Sequence, residues 1–567
     1  MSFGDIGPEV PRSNSRAMAT FALASAAYRD DEASKILEAN NEWHQSTVKP
    51  PRKWAKIFRP NLGEAFSQAV VSRTLGVGRK PLIQSFGIEP QVVVEHCMAA
   101  NHLRRERDIR LTAVMAVCGL LFLPGLLLWL LVFQIRSTVA KRDDKRAGTL
   151  ATIVLLAVGA LVVLFLVAMP FTGFWAWYFR IALVAPVVGW FLAKRICEST
   201  AKDLRERWVA LLSGGAVGAR VPESVPSSPG DVRAERLRQA FGELRDEQAS
   251  NHLFYAGPKG VLGMGTRWGH WYLAEDLVPL PSARTEEVRG TGSLSVELAK
   301  HLVPGPEVAS FQSFELANVI ERALGDLPKS PLTTGGFPKP DVGHWIVTPV
   351  PAGATEVARP AEYTAHRANT KQLSDICNNQ QFDKGDRHYL GVQWTLWDGQ
   401  LVIDMLVTVT VLHKTLRIEL TGHALGPVNG LFLSKPAAKT RTVSKTVRFW
   451  ETRTITLPIV DNDEVVRLAA RAPLTWYPPL LNWLGGSLVL PEPFGLRHAW
   501  AEQPWKHRFM TDDVLRTATP VLRVVHASVI EFLKEHGVDT AKFDSRSSAL
   551  SGAVQDPTPK KADVYDA

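Results

Sequence analysis

Cysteine is scarce in this chain: Cys97, Cys118, Cys197 and Cys377 are the four in 567 residues, and none belongs to a C-x-x-C or Cys/His ligand pattern. That excludes a disulfide framework and a zinc ribbon or finger, and it fits a reducing compartment. The 15 histidines are scattered without an HExxH pair. No G-x-S-x-G elbow is present, and no glycine run ends in the Lys-Ser/Thr of a phosphate loop. These absences leave no catalytic, cofactor or metal site to assign, so the chain is read as non-enzymatic. The net charge of +9 is accompanied by no nucleic-acid-binding motif, which sets nucleic acid aside as a partner.

What is present is apolar length. Three blocks lie within residues 111–193: Leu111–Ile135, Gly148–Met169 and Phe174–Ala193. Each reaches the roughly 20 apolar residues that a helix needs to cross a bilayer core of about 30 Å. The second block has no charged residue. The third follows a short Met169–Gly173 break and opens with Trp175 and Trp177, rings suited to the headgroup level, with Arg180 as an interface anchor. The first contains Pro124-Gly125 and reads either as a kinked span or as a re-entrant hairpin.

The distribution of Lys and Arg favours the re-entrant form. Four arginines (Arg104, Arg105, Arg107, Arg110) precede the first block, and five basic residues including Arg136 and Arg142 follow it. Five more, beginning Lys194-Arg195, follow the third block, whereas the intervening turn has only Arg180 nearby. A re-entrant first block places all three clusters on the cytoplasmic side, and no signal peptide marks the N-terminal region for export. The sequence thus predicts a multi-pass plasma-membrane protein with both larger parts in the cytoplasm. Arg104, Arg105, Arg110, Arg136, Arg142, Trp175, Trp177, Arg180, Lys194 and Arg195 are expected at the membrane interface.

Around that block the chain divides into a flexible tail (1–17), an N-terminal helical region (18–110), the membrane module (111–193), a basic helix and linker (194–230), an α+β soluble domain (231–544) and a disordered tail (545–567). The fold class expected is α+β, a helical membrane module joined to a domain with an antiparallel sheet. Pro90–Arg110 reads as a helix, and Gly76-Val77-Gly78 ends the one before it. His252–Ala256 and Trp268–Ala274 read as strands around a glycine-rich connection, which we take as a turn with close backbone packing rather than a phosphate site.

Alternation over His388–Trp397, Leu401–Val411 and Leu416–Leu420 predicts a three-stranded meander, with Asp398-Gly399 as a type I′ hairpin turn. Thr440–Ile459 reads as a further hairpin. Thr511-Asp512-Asp513 is expected to cap a helix reaching Gly537. Thr475–Pro491 crowds aromatics beside Pro and Gly and reads as a buried loop. The alternative is an element touching lipid through Trp476, Trp483 and Leu484.

Two stretches carry a resemblance. One runs from Phe254-Tyr255-Ala256-Gly257 through Gly263-Met264-Gly265 to Trp268 and Trp271. The other runs from Arg387-His388-Tyr389-Leu390 through Trp397-Asp398-Gly399 to Leu425-Gly426-Pro427. Both resemble uncharacterised actinomycete (Streptomyces-type) multi-pass membrane proteins in which a Gly/Trp-rich soluble domain follows a membrane hairpin. The resemblance implies an architecture and no activity.

The functional expectation is a membrane anchor or scaffold. Its partners would be the lipid bilayer and a cytoplasmic protein or large assembly, for example a contractile injection machine. A membrane-bound sensor or ligand-binding module is the alternative, and an unrecognised envelope enzyme the third. The sequence specifies no oligomeric state.

Overall fold

The computed structural model describes residues 17–41, 45–53, 55–123, 173–213, 231–280, 307–329, 337–350, 367–379, 382–383, 385–437, 440–444, 452–456, 458–503 and 506–545, with four single residues between 124 and 172. Its strands are β1 (Thr47–Val48), β2 (His252–Tyr255), β3 (Thr266–Asp276), β4 (Asp341–Pro349), β5 (Arg387–Leu396), β6 (Leu401–Leu412), β7 (Thr415–Leu425), β8 (Thr440–Ser444), β9 (Thr452–Thr456) and β10 (Leu488–Val489).

The meander expected from alternation is β5-β6-β7, the centre of a six-stranded sheet ordered β2-β4-β5-β6-β7-β3. β2 runs parallel to β4 and every other pair is antiparallel. The strands flanking the glycine-rich connection therefore end at opposite edges of the sheet. The left-handed pair expected at Asp398-Gly399 extends over three residues, Trp397, Asp398 and Gly399, all at positive φ. The tighter turn is at His413-Lys414, where both residues adopt the positive φ that type I′ requires.

One sheet face is closed by the helices Ser313–Gly325 and Arg508–Glu535. Leu316, Ile320, Val514, Val521 and Val525 cover Leu390, Val392, Trp394, Ile403, Met405 and Val407. The long helix is capped by the His507 side chain, which accepts from the Met510 amide, one turn before the cap expected at Thr511. The opposite face, with Val402, Leu406 and Leu425, is covered by Phe86, Val261, Met264 and Ala501. The glycine-rich connection lies here for steric reasons. A side chain at Gly263 (φ +95°) would meet the Gln84 carbonyl oxygen at 2.9 Å, and one at Gly265 (φ +84°) would collide with the Ala424 carbonyl.

The second core is helical and draws on both ends of the chain. Ala17–Ser25, Leu62–Leu75 and Pro90–Cys118 pack with Trp208, Phe241 and Leu244, and with Phe432, Phe494 and Trp500. Trp500 stands 5.0 Å from Phe66 and 5.8 Å from Phe432, centroid to centroid. This core crosses the boundaries drawn near residues 194 and 231.

The helical membrane module is overturned. Among the described residues no helix is long and apolar enough to cross a membrane. The third apolar block is the first half of one 39-residue helix, Phe174–Leu212, interrupted by Arg180 and Pro186 and continued by a charged half. The first block continues the helix Pro90–Cys118, and its Leu111 is buried with Ala193 and Cys197 against Val465 and Leu468 of the helix Asn462–Arg471. Multi-pass plasma-membrane localisation loses its support with the module. The second block lies outside the described residues except for isolated positions, as do most of Pro124–Ile135, Arg136, Arg142 and the tails 1–16 and 546–567.

Candidate functional site

The helix Pro90–Cys118 buries the stripe Val93, Cys97, Ala100, Arg104, Arg107, Asp108 and Leu111. Burying a guanidinium is costly unless acceptors surround it. Arg104, 5% exposed, donates to the carbonyl oxygens of Ala27 at 2.6 Å and Gly63 at 3.2 Å. Gly63 is needed here, since a Cβ would stand 2.6 Å from Arg104 Nη2. Arg107 donates through Nε to Asp108 Oδ1 at 2.9 Å.

Beside these two arginines is a cavity of about 210 Å³ walled by Tyr28, Arg29, Asp30, Asn61, Cys197, Arg205 and Glu464 among others. Its charges are cross-paired. Arg29 holds Asp31 at 2.8 Å, Arg205 holds Asp30 at 2.6 Å, and Arg467 pairs with Glu464. Arg471 grips Glu64 with both terminal nitrogens, each at 2.6 Å. Burial alone would raise the Glu64 carboxyl, but Arg471, with Arg107 and Arg104 nearby, pulls it down to about 2. Burial lowers Arg104 to about 10 and raises the Cys197 thiol to about 11, so that thiol is unreactive near neutrality.

A second polar group crosses the sheet. His344 on β4 meets His388 on β5, Nδ1 to Nε2 at 2.9 Å, and its other nitrogen stands 3.2 Å from Glu321 Oε2. Burial and His344 depress His388 to about 3, which keeps it neutral. Among the described residues no three His, Cys, Asp or Glu side chains are placed to hold a metal ion.

The residues expected at a membrane interface are dispersed. Arg104 is in the cavity wall, buried in protein, which corrects its assignment to headgroups. Arg105, Arg110, Arg180 and Arg195 are exposed, and Lys194 lies over the Trp190 ring at 5.4 Å. Trp175 and Trp177 are exposed near the start of their helix. The segment expected as a buried loop or a lipid contact forms the helix Pro478–Gly485, with Leu481 and Leu484 inward. Leu484, 6% exposed, is thereby removed as a contact residue, whereas Trp476, Tyr477 and Trp483 are 70%, 63% and 53% exposed. Residues 49–53 and 55–58 lie alongside, with the Arg52 guanidinium 3.9 Å from the Trp483 ring centre. Arg52, Lys53 and Lys56 form an exposed basic rim.

Sequence reading missed the cavity because its walls come from residues 28–30, 61–107, 197–205 and 459–468, segments with no shared motif.

Residues 270–557 match the family model of the AbeC-like domain, just over half of the chain. The chain belongs to the AbeC-like family. No curated protein and no solved structure matches it. The AbeC-like segment starts within β3 and includes β4–β10 and the helix Arg508–Glu535. It supplies the Glu464 side of the cavity, and the Arg104 side lies before it.

Proposed function

We propose that this AbeC-like chain, of the actinomycete group that its sequence resembles, is a non-enzymatic docking scaffold. It would seat an acidic, apolar segment of a protein partner on the surface of Trp476, Tyr477, Leu480 and Trp483. One observation carries the reading: three large aromatic side chains stand more than half exposed, Trp476 and Tyr477 just before a short helix and Trp483 on it, while Leu481 and Leu484 of that helix are buried and a basic rim lies beside them. Trp, Tyr and Arg dominate the energetics of protein interfaces because each combines large contact area with a polar handle. The rim supports an acidic partner, since complementary charge accelerates encounter and fixes register.

The surface is held firmly. The Arg52 amide donates to the Leu484 carbonyl at 3.2 Å, and the Lys49 amide to Ser487 at 2.9 Å. A rigid aromatic platform loses little side-chain entropy on binding.

The test is site-specific photo-cross-linking from position 477 of the full-length chain in its native cells. A discrete cross-linked protein is expected that weakens as salt rises and disappears in the Trp476→Ser/Trp483→Ser variant. Lipid adducts alone, or a cross-link indifferent to both the substitutions and salt, would refute docking of an acidic protein segment.

A further inference from the structure

The cavity beside Arg104 has no part in the docking surface. Arg29, Arg104, Arg107 and Arg205 line it, with Arg467 and Arg471 behind its wall, and of these Arg29, Arg107, Arg205, Arg467 and Arg471 have a carboxylate partner. Arg104 has, among the described residues, only the two backbone carbonyls of Ala27 and Gly63 as acceptors. The nearby carboxylate of Glu64 is committed to Arg471. Arg107 stands one helical turn further on the same face, and its Nη1 has no acceptor among the described residues. We propose that this cavity binds a small oxyanion, a phosphate or a short dicarboxylate, between the guanidinium groups of Arg104 and Arg107.

Size and charge both restrict the ligand. A cavity of about 210 Å³ is smaller than the roughly 300–1,000 Å³ of ordinary small-molecule pockets, which favours an anion of phosphate or short-dicarboxylate size over a nucleotide. Of the three acidic groups in the wall, Asp30, Asp461 and Glu464, Asp30 is held by Arg205 and Glu464 by Arg467 and Asn61, so these two do not repel it as free charges. The fork geometry of two guanidinium groups matches the paired oxygens of carboxylate and phosphate, and such charge-assisted bonds strengthen away from water. The depressed Arg104 has the signature of a buried cation with incomplete compensation, which a bound dianion would restore.

Calorimetric titration and thermal unfolding of the full-length chain test this, using sodium phosphate and sodium succinate against sodium chloride at matched ionic strength. A saturable heat with at least one dianion, and a rise in Tm of about 2 °C or more, are expected. Whichever dianion produces them identifies the head group. Ala201→Met, from the helix Phe174–Leu212, would fill the cavity without replacing an arginine and should abolish binding while the fold is kept. Arg104→Lys keeps the charge but loses the fork and should weaken binding about tenfold. Equal effects from chloride, no heat with either dianion, or full binding by a correctly folded Ala201→Met variant would overturn the proposal. Loss of protein cross-linking at position 477 would not bear on it, so the two readings fail separately.

Discussion

Glu64→Gln is the perturbation that most directly tests the electrostatic design of the helical core. Glu64 and Arg471 are 407 positions apart in sequence, and their side chains are 6% and 4% exposed. The pair fastens the helix Leu62–Leu75 to the helix Asn462–Arg471. Gln keeps one acceptor oxygen for Arg471 but sets an NH2 donor against its other terminal nitrogen, so the buried guanidinium loses its counter-charge and one of its two short bonds, with the Arg59 carbonyl at 3.4 Å as a further acceptor. Breaking a buried pair in this way costs about 3–5 kcal/mol, far more than an exposed pair contributes.

The pH dependence gives an independent magnitude. Glu64 drops from an ordinary value of 4.5 to about 2 on folding, and this shift is equivalent to about 3 kcal/mol. Because the folded value is the lower one, the contribution is fully present above pH 4.5 and is lost as pH falls through the folded value. Guanidinium unfolding followed by tryptophan fluorescence reports on this core, which contains Trp208 and Trp500. The wild type should exceed Glu64→Gln at pH 7, and the two should converge as pH is lowered toward 2. In a double-mutant cycle with Arg471→Met the two losses should be strongly non-additive. A loss below about 1 kcal/mol at pH 7, or additive losses, would refute the claim that this pair joins the two ends of the chain.

Three further outcomes follow from the sheet. Burial raises Asp404 to about 7, with Gln393 as its hydrogen-bond partner at 2.6 Å, so its ionisation destabilises the fold as pH rises from about 4 to 7. Asp404→Asn should gain stability over the wild type at pH 8 by on the order of 4 kcal/mol, and far less at pH 4, in the same unfolding assay. Gly265→Ala would place a Cβ against the Ala424 carbonyl at a positive φ, and should lower the denaturation midpoint by several degrees with a loss of about 2 kcal/mol or more. Arg497 is fully buried and donates through Nη2 to the carbonyls of Gly399, Gln400 and Gly426. Arg497→Ala would strip those carbonyls of their donor and leave a cavity, with an expected loss of about 3 kcal/mol or more in thermal unfolding.

Alternation made β5-β6-β7 legible because one face of each strand faces a continuous apolar core, and a strand's period of two then prints itself on the sequence. The same rule does not give sheet order. β2 and β3 flank a short glycine-rich connection, yet glycines packed against Gln84 and Ala424 carry the chain across the covered sheet face to the opposite edge. The sheet's partners are equally remote from sequence: Phe86 and Ala501 meet over Leu406 although more than four hundred residues separate them.

Arg104 shows where a periodic signal was present and was outweighed by composition. Arg104, Arg105, Arg107 and Arg110 read together as a basic flank before an apolar block. Placed on a helix, they separate: Arg104 and Arg107 continue the stripe of Val93, Cys97, Ala100 and Leu111 at three- and four-residue spacing, while Arg105 and Arg110 fall on the other side. An arginine on the apolar stripe of a long helix must find acceptors in protein, and the acceptors here are the Ala27 and Gly63 carbonyls and the Asp108 carboxylate. The spacing of charge relative to the stripe, rather than its quantity, distinguishes a wall of a polar cavity from a solvent-facing flank. On this stripe Arg104 is the charge that has, among the described residues, backbone carbonyls and no carboxylate as its hydrogen-bond partners, and there the oxyanion is proposed to bind.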